Sequence, residues 1–162
     1  MDVINYRPIG IIHSPFKRLE GTPIQAIGGS GEQAEVEIFP EFVAGLQDLD
    51  GFSHIMLFYH CHLAQPYRLL VTPFLDDAER GLFATRSPAR PNPIGFSIVR
   101  LIRIVQQILY VEDIDIVDRT PLLDIKPVVP EFDTREVDRI GWLEKKAANV
   151  KKTVDDGRFG SQ

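Results

Sequence analysis

Short apolar runs rich in Ile, Val, Phe and Tyr recur along the chain, and each is bounded by Pro, Gly or Asp. Runs of this length and composition are typical of β-strands. The pattern predicts strands at Ile9 to His13, Glu35 to Phe39, Ser53 to His62, Arg68 to Val71, Ile94 to Val105 and Ile108 to Val117. Because closing a sheet removes its vulnerable edges, we expect a mainly β domain whose sheet is closed or nearly closed.

Two segments have a helical pattern instead. Pro40 to Leu46 is long enough for a turn or two, and Thr134 to Lys152 carries apolar residues at roughly helical spacing. Thr134 is a suitable N-cap for the second helix, although Gly141 weakens its middle. From Thr153 the chain has the pattern of a polar tail.

The composition suits one domain with a substantial core, since 44% of the 162 residues are hydrophobic. Cys61 is the single cysteine, so no internal disulfide is available, and no basic-then-apolar leader is present. The longest purely apolar run, Ile55 to Tyr59, is too short to cross a bilayer. We therefore expect a cytoplasmic protein with no membrane partner.

The charge of the chain bears on its class of partner. The formal net charge is −5, which gives no general attraction for phosphate. Contacts with a nucleic acid would then depend on local arginines, such as Arg86, Arg90, Arg100 and Arg103.

Four segments depart from the strand pattern, and two of them are loops. His13 to Gly31 contains several glycines, which let backbone amides approach a ligand closely, and plain flexibility is the alternative interpretation. ATRSPARPNPIG, Ala84 to Gly95, contains three prolines, which exclude both a helix and a central strand. It is a stiff polar loop, either a simple turn or a shaped binding loop.

The third segment, Ser53 to His62, is rich in histidine. In a regular strand, one face would carry His54, Met56, Phe58, His60 and His62. A His-x-His pair could begin a metal site, but no carboxylate follows before Asp76. We therefore expect no metal and interpret these histidines as polar residues of the strand and its end.

The fourth segment, Asp113 to Pro127, is acidic. Asp113 and Asp115 would share one face of a strand, and Asp118 to Pro121 would form a turn. Carboxylates in such places cap turns, accept hydrogen bonds from ribose hydroxyls or lie near a cation.

Together these segments resemble the motifs of one family. GLFATRSPARPNPIGFSIVRL, Gly81 to Leu101, is similar to the signature of the TsaA-like family, the TrmO-type tRNA methyltransferases. Further motifs resemble the family's in the family's order, namely RPIGIIHSPFK, the Pro-Ile-Gln at 23 to 25, GFSHIMLFYHCH and DIDIVDRTPLLDIKP. The resemblance extends from about Tyr6 to Asp133, which is most of the chain.

The resemblance implies a single-sheeted antiparallel β-barrel with short helices and a C-terminal helix, usually assembled as a homodimer. The methyltransferase domain would span residues 1–145, followed by a helix end and polar tail at 146–162. The implied cofactor is S-adenosylmethionine and the implied substrate is tRNA, with no role for DNA. The implied cofactor contacts are Pro23, Ile24, Gln25, His60, Cys61, Arg86, Phe96, Val117, Asp118, Arg119 and Thr120.

The reaction that this resemblance implies is methyl transfer to the exocyclic N6 of threonylcarbamoyladenosine beside the anticodon. Because an adjacent carbonyl delocalises its lone pair, this nitrogen needs both alignment and loss of a proton. The candidate bases are His60, Asp115 and Asp118, and Asn92 is a candidate hydrogen-bonding partner of the threonylcarbamoyl group.

Two departures from the family pattern bear on the substrate. The family's Asp-Gly-Thr-Pro is here Asp118 to Pro121 with Arg119 at the glycine position, where a left-handed conformation would cost on the order of 1 kcal/mol. The stretch Lys126 to Pro130 lacks the family's aromatic residue, a possible stacking platform for a base. The alternatives are a methyltransferase of the same fold acting on another RNA or a small molecule, a non-catalytic nucleotide-binding barrel, and a His-x-His metal enzyme.

Overall fold

The computed structural model describes residues 3–24, 31–144 and 153–159. Its strands are β1 (Gly10–His13), β2 (Gln33–Ile38), β3 (His54–His60), β4 (Leu70–Val71), β5 (Arg80–Gly81), β6 (Ile94–Val105), β7 (Ile108–Glu112) and β8 (Thr120–Pro127). The α-helix in the described residues is α1 (Pro130–Asp133), and short 3-10 helices lie at Pro40–Leu46, Leu49–Gly51, Leu82–Ala84 and Gly141–Leu143.

Most of the strands form a closed antiparallel barrel in the order β1-β2-β7-β6-β3-β8. β8 completes the barrel because it pairs with β1 on one side and with β3 on the other. The longest pairing joins β3 to β6, from His54 opposite Arg100 to His60 opposite Ile94. β4 and β5 form a separate two-stranded sheet. The mainly β fold with a closed antiparallel sheet is confirmed.

Alternate apolar residues of the strands fill the barrel interior. In β3, Ile55 and Leu57 are fully buried, whereas Met56 between them is only partly covered, as the two-residue period of a strand requires. Each fully buried Ile or Leu side chain contributes about 1.5–3 kcal/mol relative to an exposed one. The buried core consists of Ile12, Ala34, Val36, Ile38, Ile55, Leu57, Val99, Leu101, Leu109, Val111, Ile114, Ile116 and Leu122.

A smaller apolar cluster lies outside this core and includes the C-terminal segment. Its members are Val71, Leu82, Ala89 and Phe159, with Phe74 packed against them. The backbone of Asp155 donates to the Thr22 carbonyl at 2.8 Å, which ties the same segment to the loop after β1. Residues 153–159 therefore pack against the domain, although their sequence pattern predicts a polar tail.

The helix predicted from Thr134 is wrong over its described part. Thr134 follows α1 in an extended conformation, and the left-handed φ of 58° at Gly141 interrupts any continuous α-helix through this position. Val137 and Ile140 are 67% and 46% exposed, so the apolar spacing does not mark a buried face. The remainder of the predicted helix, at 145–152, lies outside the described residues.

The acidic segment also differs from its prediction. The strand expected to reach Val117 ends at Glu112, because Asp113 takes a left-handed φ of 66° that a pleated strand does not accommodate. Asp113 and Asp115 therefore do not share a strand face. β8 was not predicted as a strand, because the turn residues Asp118 to Pro121 lead directly into it.

Candidate functional site

A cleft of about 1280 Å³ opens at one end of the barrel. β3 ends there and β6 begins there, and the antiparallel register places these two strand ends side by side. Its walls combine Thr22 to Ile24, residues 61–64, the loop 83–90 and the segment from Asp113 to Thr120. Parts of all four segments that depart from the strand pattern thus surround one cavity.

The structure brings most of the predicted cofactor contacts into this cleft. Those that line it are Pro23, Ile24, Cys61, Arg86, Phe96, Val117 and Thr120. His60 is exposed at the end of β3 and does not line the cleft. Gln25 lies outside the described residues.

Asp118 and Arg119 line a different hollow of about 630 Å³. The Asp118 carboxylate accepts a 3.0 Å hydrogen bond from the Ser14 amide and pairs with the Lys17 ammonium at 2.8 Å. Burial alone would raise the pKa of Asp118, but these donors outweigh it and hold the pKa below its usual value. Asp118 is therefore a fixed carboxylate that joins the turn to the loop after β1.

Arg119 has a φ of 62°, so the arginine occupies the left-handed conformation that a glycine would adopt without strain. The turn keeps this geometry because Thr120, directly after it, is 1% exposed and donates from its hydroxyl to the Val117 carbonyl at 2.7 Å.

The proline-rich loop is held by Arg90. One guanidinium nitrogen, Nη1, donates to the carbonyl oxygens of Thr85 at 3.1 Å and Ser87 at 3.4 Å. Arg90 thus fixes the backbone on both sides of Arg86, whose exposed side chain lines the cleft. The planar guanidinium of Arg86 is suited to binding a carboxylate through two hydrogen bonds.

Ser87, next to Arg86, is 5% exposed and also lines the cleft. Within the part of the chain that the structure describes, its buried hydroxyl oxygen has no hydrogen-bonding partner. Such atoms are rare because an unpaired buried polar group costs about 1–3 kcal/mol, which makes this hydroxyl a candidate contact for a ligand in the cleft.

A hydrogen-bonded chain reaches the cleft from the β3–β6 pair. The Ser97 hydroxyl donates to Oδ1 of Asp115 at 2.6 Å, and the Tyr59 hydroxyl lies 3.0 Å from the same serine oxygen. Because the single serine proton is directed to the carboxylate, Tyr59 is the donor to Ser97. Of the predicted bases, Asp115 is the one that lines the cleft.

Tyr59 and Cys61 are both protonated at neutral pH. Burial, reinforced by the Asp115 carboxylate, raises the pKa of Tyr59 well above its usual value. The same two causes raise the pKa of Cys61 to about 11. Cys61 is therefore a neutral thiol and a weak nucleophile.

His62 is a cleft residue that the sequence interpretation did not place among the catalytic candidates. Its Nδ1 lies 3.3 Å from the Thr120 hydroxyl oxygen, whose own proton is already donated to Val117. Nδ1 must then be the donor, which leaves Nε2 as an unprotonated acceptor. Burial, followed by the neighbouring His60 and Arg119, lowers the pKa of His62 below 6.5 and keeps the ring neutral.

Two further predictions concern Asn92 and metal binding. Asn92 is exposed and does not line the cleft, and its backbone carbonyl accepts a 2.8 Å hydrogen bond from the Ile94 amide.

Among the residues that the structure describes, no group of three His, Cys, Asp or Glu side chains is arranged to hold a metal ion. No helix in those same ranges is long and apolar enough to span a membrane.

Comparison with known proteins identifies similar sequences and folds. Residues 11–134 match the family model of the tRNA-methyltransferase O N-terminal domain. The chain is 57% identical over 98% of its length to a probable S-adenosyl-L-methionine-binding protein of Pyrococcus abyssi, of which the match covers 86%. It is 34% identical over 78% of its length to the human tRNA (adenine(37)-N6)-methyltransferase, of which the match covers 30%.

A solved structure of the same family has a similar fold. The crystal structure of TrmO from Pseudomonas aeruginosa superimposes with a TM-score of 0.72 and 34% sequence identity, and the match covers 87% of this chain and 63% of that one. The chain therefore spans less than two thirds of this structural relative.

Proposed function

The chain belongs to the tRNA-methyltransferase O N-terminal domain family, and we propose that it transfers a methyl group from S-adenosylmethionine to N6 of threonylcarbamoyladenosine beside the tRNA anticodon. The observation that carries the proposal is the cleft, where segments matching the family's motifs meet around Arg86, Asp115 and His62. The methyltransferase domain would occupy residues 1–145, and 146–162, expected as a helix end and polar tail, would follow it, with the described part, 153–159, packed against the domain.

The side chains in the cleft fit this cofactor. Arg86 would pair with the cofactor's terminal carboxylate, and the Ser87 hydroxyl, which has no partner among the described residues, offers a further hydrogen bond. Phe96 and Ile24 supply apolar surface for the adenosine part. When bound, the cofactor supplies a reactive methyl group on a positively charged sulfur.

We assign proton removal to His62. The substrate nitrogen is a poor nucleophile because its lone pair is delocalised, so a group that takes up its proton accelerates the reaction by about a hundredfold or more. His62 lines the cleft, is neutral at neutral pH and has Nε2 available as an acceptor. Asp118 is committed to Lys17 and Ser14, and His60 lies outside the cleft lining, which argues against both as the base.

The proposed assembly is a cytoplasmic homodimer. Three outward apolar residues of β6, Ile94, Phe96 and Ile98, are 41%, 42% and 39% exposed. We call these three residues the β6 stripe. Exposed apolar surface of this kind is typical of an interaction site, and all three residues of the stripe also line the cleft, so a second copy bound there would lie at the rim of the cofactor site.

The experiment that tests the function uses the intact chain, S-adenosylmethionine with an isotopically labelled methyl group, and tRNA bearing threonylcarbamoyladenosine. Mass spectrometry of the digested nucleosides should show one labelled methyl group on that nucleoside. Cofactor binding without methylation of it would contradict the substrate assignment and leave the family assignment in place. The absence of cofactor binding at millimolar concentration would contradict the methyltransferase proposal itself.

A further inference from the structure

The hydrogen-bonded chain from Tyr59 through Ser97 to Asp115 has a single direction. Each hydroxyl donates towards the carboxylate, Tyr59 to Ser97 at 3.0 Å and Ser97 to Asp115 at 2.6 Å. Donors aligned in this way polarise one another and stabilise the ionised form of the acceptor at the end of the chain. The chain therefore presents a negative charge to the cleft that Asp115 lines.

Packing fixes the position of this chain. Ser97 is 3% exposed, and Tyr59 is opposite Gly95 in the β3–β6 register. A β-carbon at Gly95 would collide with the Tyr59 ring, so the glycine allows the ring to lie directly across the neighbouring strand. The tyrosine hydroxyl is thereby held at Ser97, and the serine hydroxyl at Asp115.

The charges in the cleft are complementary to the cofactor of the proposed function. S-adenosylmethionine has one carboxylate, one ammonium group and one sulfonium, whereas the product of methyl transfer, S-adenosylhomocysteine, has a neutral sulfur. Arg86, which lines the cleft, would pair with the carboxylate that both molecules share. A fixed carboxylate also attracts the sulfonium, and it therefore favours S-adenosylmethionine over S-adenosylhomocysteine.

We infer that Asp115, held by Ser97 and Tyr59, is the group that makes the site prefer the positively charged cofactor over its neutral product. Ser97 and Tyr59 are positioning residues, because they act through Asp115. Loss of the sulfonium charge on methyl transfer removes this attraction and so favours product release. The inference rests on the proposed function, since it requires that S-adenosylmethionine occupies this cleft.

Titration calorimetry on the intact chain tests the inference without measuring turnover. The ligands are S-adenosylmethionine, S-adenosylhomocysteine and sinefungin, in which an amine-bearing carbon carries the positive charge in place of the sulfonium. Asp115→Asn should weaken binding of the two cationic ligands about tenfold, the size of one charge-assisted contact, and change binding of the neutral product by less than about twofold. An equal loss for all three ligands would overturn the inference while leaving the proposed function intact.

The positioning residues are tested in the same measurement. Ser97→Ala should lower the preference for cationic ligands in the same direction as Asp115→Asn, and it should have no further effect when the two substitutions are combined. Additive effects in the double variant would show that Ser97 does not act through Asp115. Circular dichroism and thermal melting establish that each variant is folded.

Asp113→Asn is the matched control. Asp113 lies two residues away and also lines the cleft, but its carboxylate accepts from the Gly31 amide at 2.9 Å. This substitution should leave the ratio of the cationic to the neutral affinity nearly unchanged. A change as large as that of Asp115→Asn would overturn the inference, because general negative charge would then explain the preference. No binding of any ligand to the unsubstituted chain would instead contradict the proposed function.

Discussion

The two ring nitrogens of His62 have different roles, which gives the proposed base a testable pH dependence. Only the neutral ring accepts a proton, so activity should be present above the pKa of His62 and lost as the pH falls through it. Burial, followed by the neighbouring His60 and Arg119, lowers that pKa, so the acid limb of kcat/KM should lie below the usual pKa of a histidine. His62→Gln should remove the limb and lower kcat at least about a hundredfold.

Two controls accompany this prediction. Calorimetry should show that His62→Gln retains cofactor affinity within about twofold, which separates proton transfer from binding. His54→Gln, at the opposite end of β3, should retain both the activity and the acid limb. If the pH profile of His62→Gln still contains the acid limb, another group is the base.

The conformation of Arg119 leads to a prediction about the free energy of unfolding. Its φ of 62° is strained for an arginine, so Arg119→Gly should raise the free energy of unfolding by about 0.5–1 kcal/mol, after allowance for the greater freedom of glycine in the unfolded chain. Chemical denaturation measures the change. Arg119→Ala keeps the strain and should give no gain; an equal gain from alanine would show that the arginine side chain, not its backbone, is unfavourable.

At the scale of the element, the β3–β6 pair depends on Gly95. Gly95→Ala would force the partly buried Tyr59 ring to move, and overpacking of this kind costs about 1–3 kcal/mol. Denaturant unfolding should show this loss, and binding should show a reduced preference for cationic ligands because the hydroxyl of Tyr59 moves with its ring.

The matched control for this substitution is Gly81→Ala. Nothing lies within 4 Å of a β-carbon built at Gly81, and its φ is negative, so its stability should change by less than about 0.5 kcal/mol. Similar losses at the two glycines would contradict the role of the Tyr59 contact.

At the scale of the whole molecule, the β6 stripe is the surface that we expect a second copy to cover. Light scattering should give a dimer for the unsubstituted chain at tens of micromolar, and Ile98→Glu should shift it to the monomer, because a buried unpaired carboxylate is costly. Val105→Glu, on the same strand and 47% exposed, should leave the dimer unchanged. A monomeric unsubstituted chain would contradict the proposal.

Much of the architecture follows from local sequence. β6 has the same bounds that its pattern predicts, Ile94 to Val105, and the short helix at Pro40–Leu46 also lies as predicted. These elements were predictable because alternating burial and proline or glycine boundaries act over only a few residues. The prediction of a helix from Thr134 was wrong because the spacing of apolar residues does not show whether another part of the chain covers them.

The sequence by itself determined five of the six barrel strands, all except β8, together with the stiff arginine loop and the family motifs, since each is encoded in neighbouring residues. Only the tertiary structure decided which polar groups meet. It directed Asp118 to Lys17, left His60 outside the cleft, and joined Tyr59, Ser97 and Asp115, which come from three separate segments. The physical reason is that hydrogen bonds and charge pairs depend on ångström-scale register between distant strands, which no local pattern specifies.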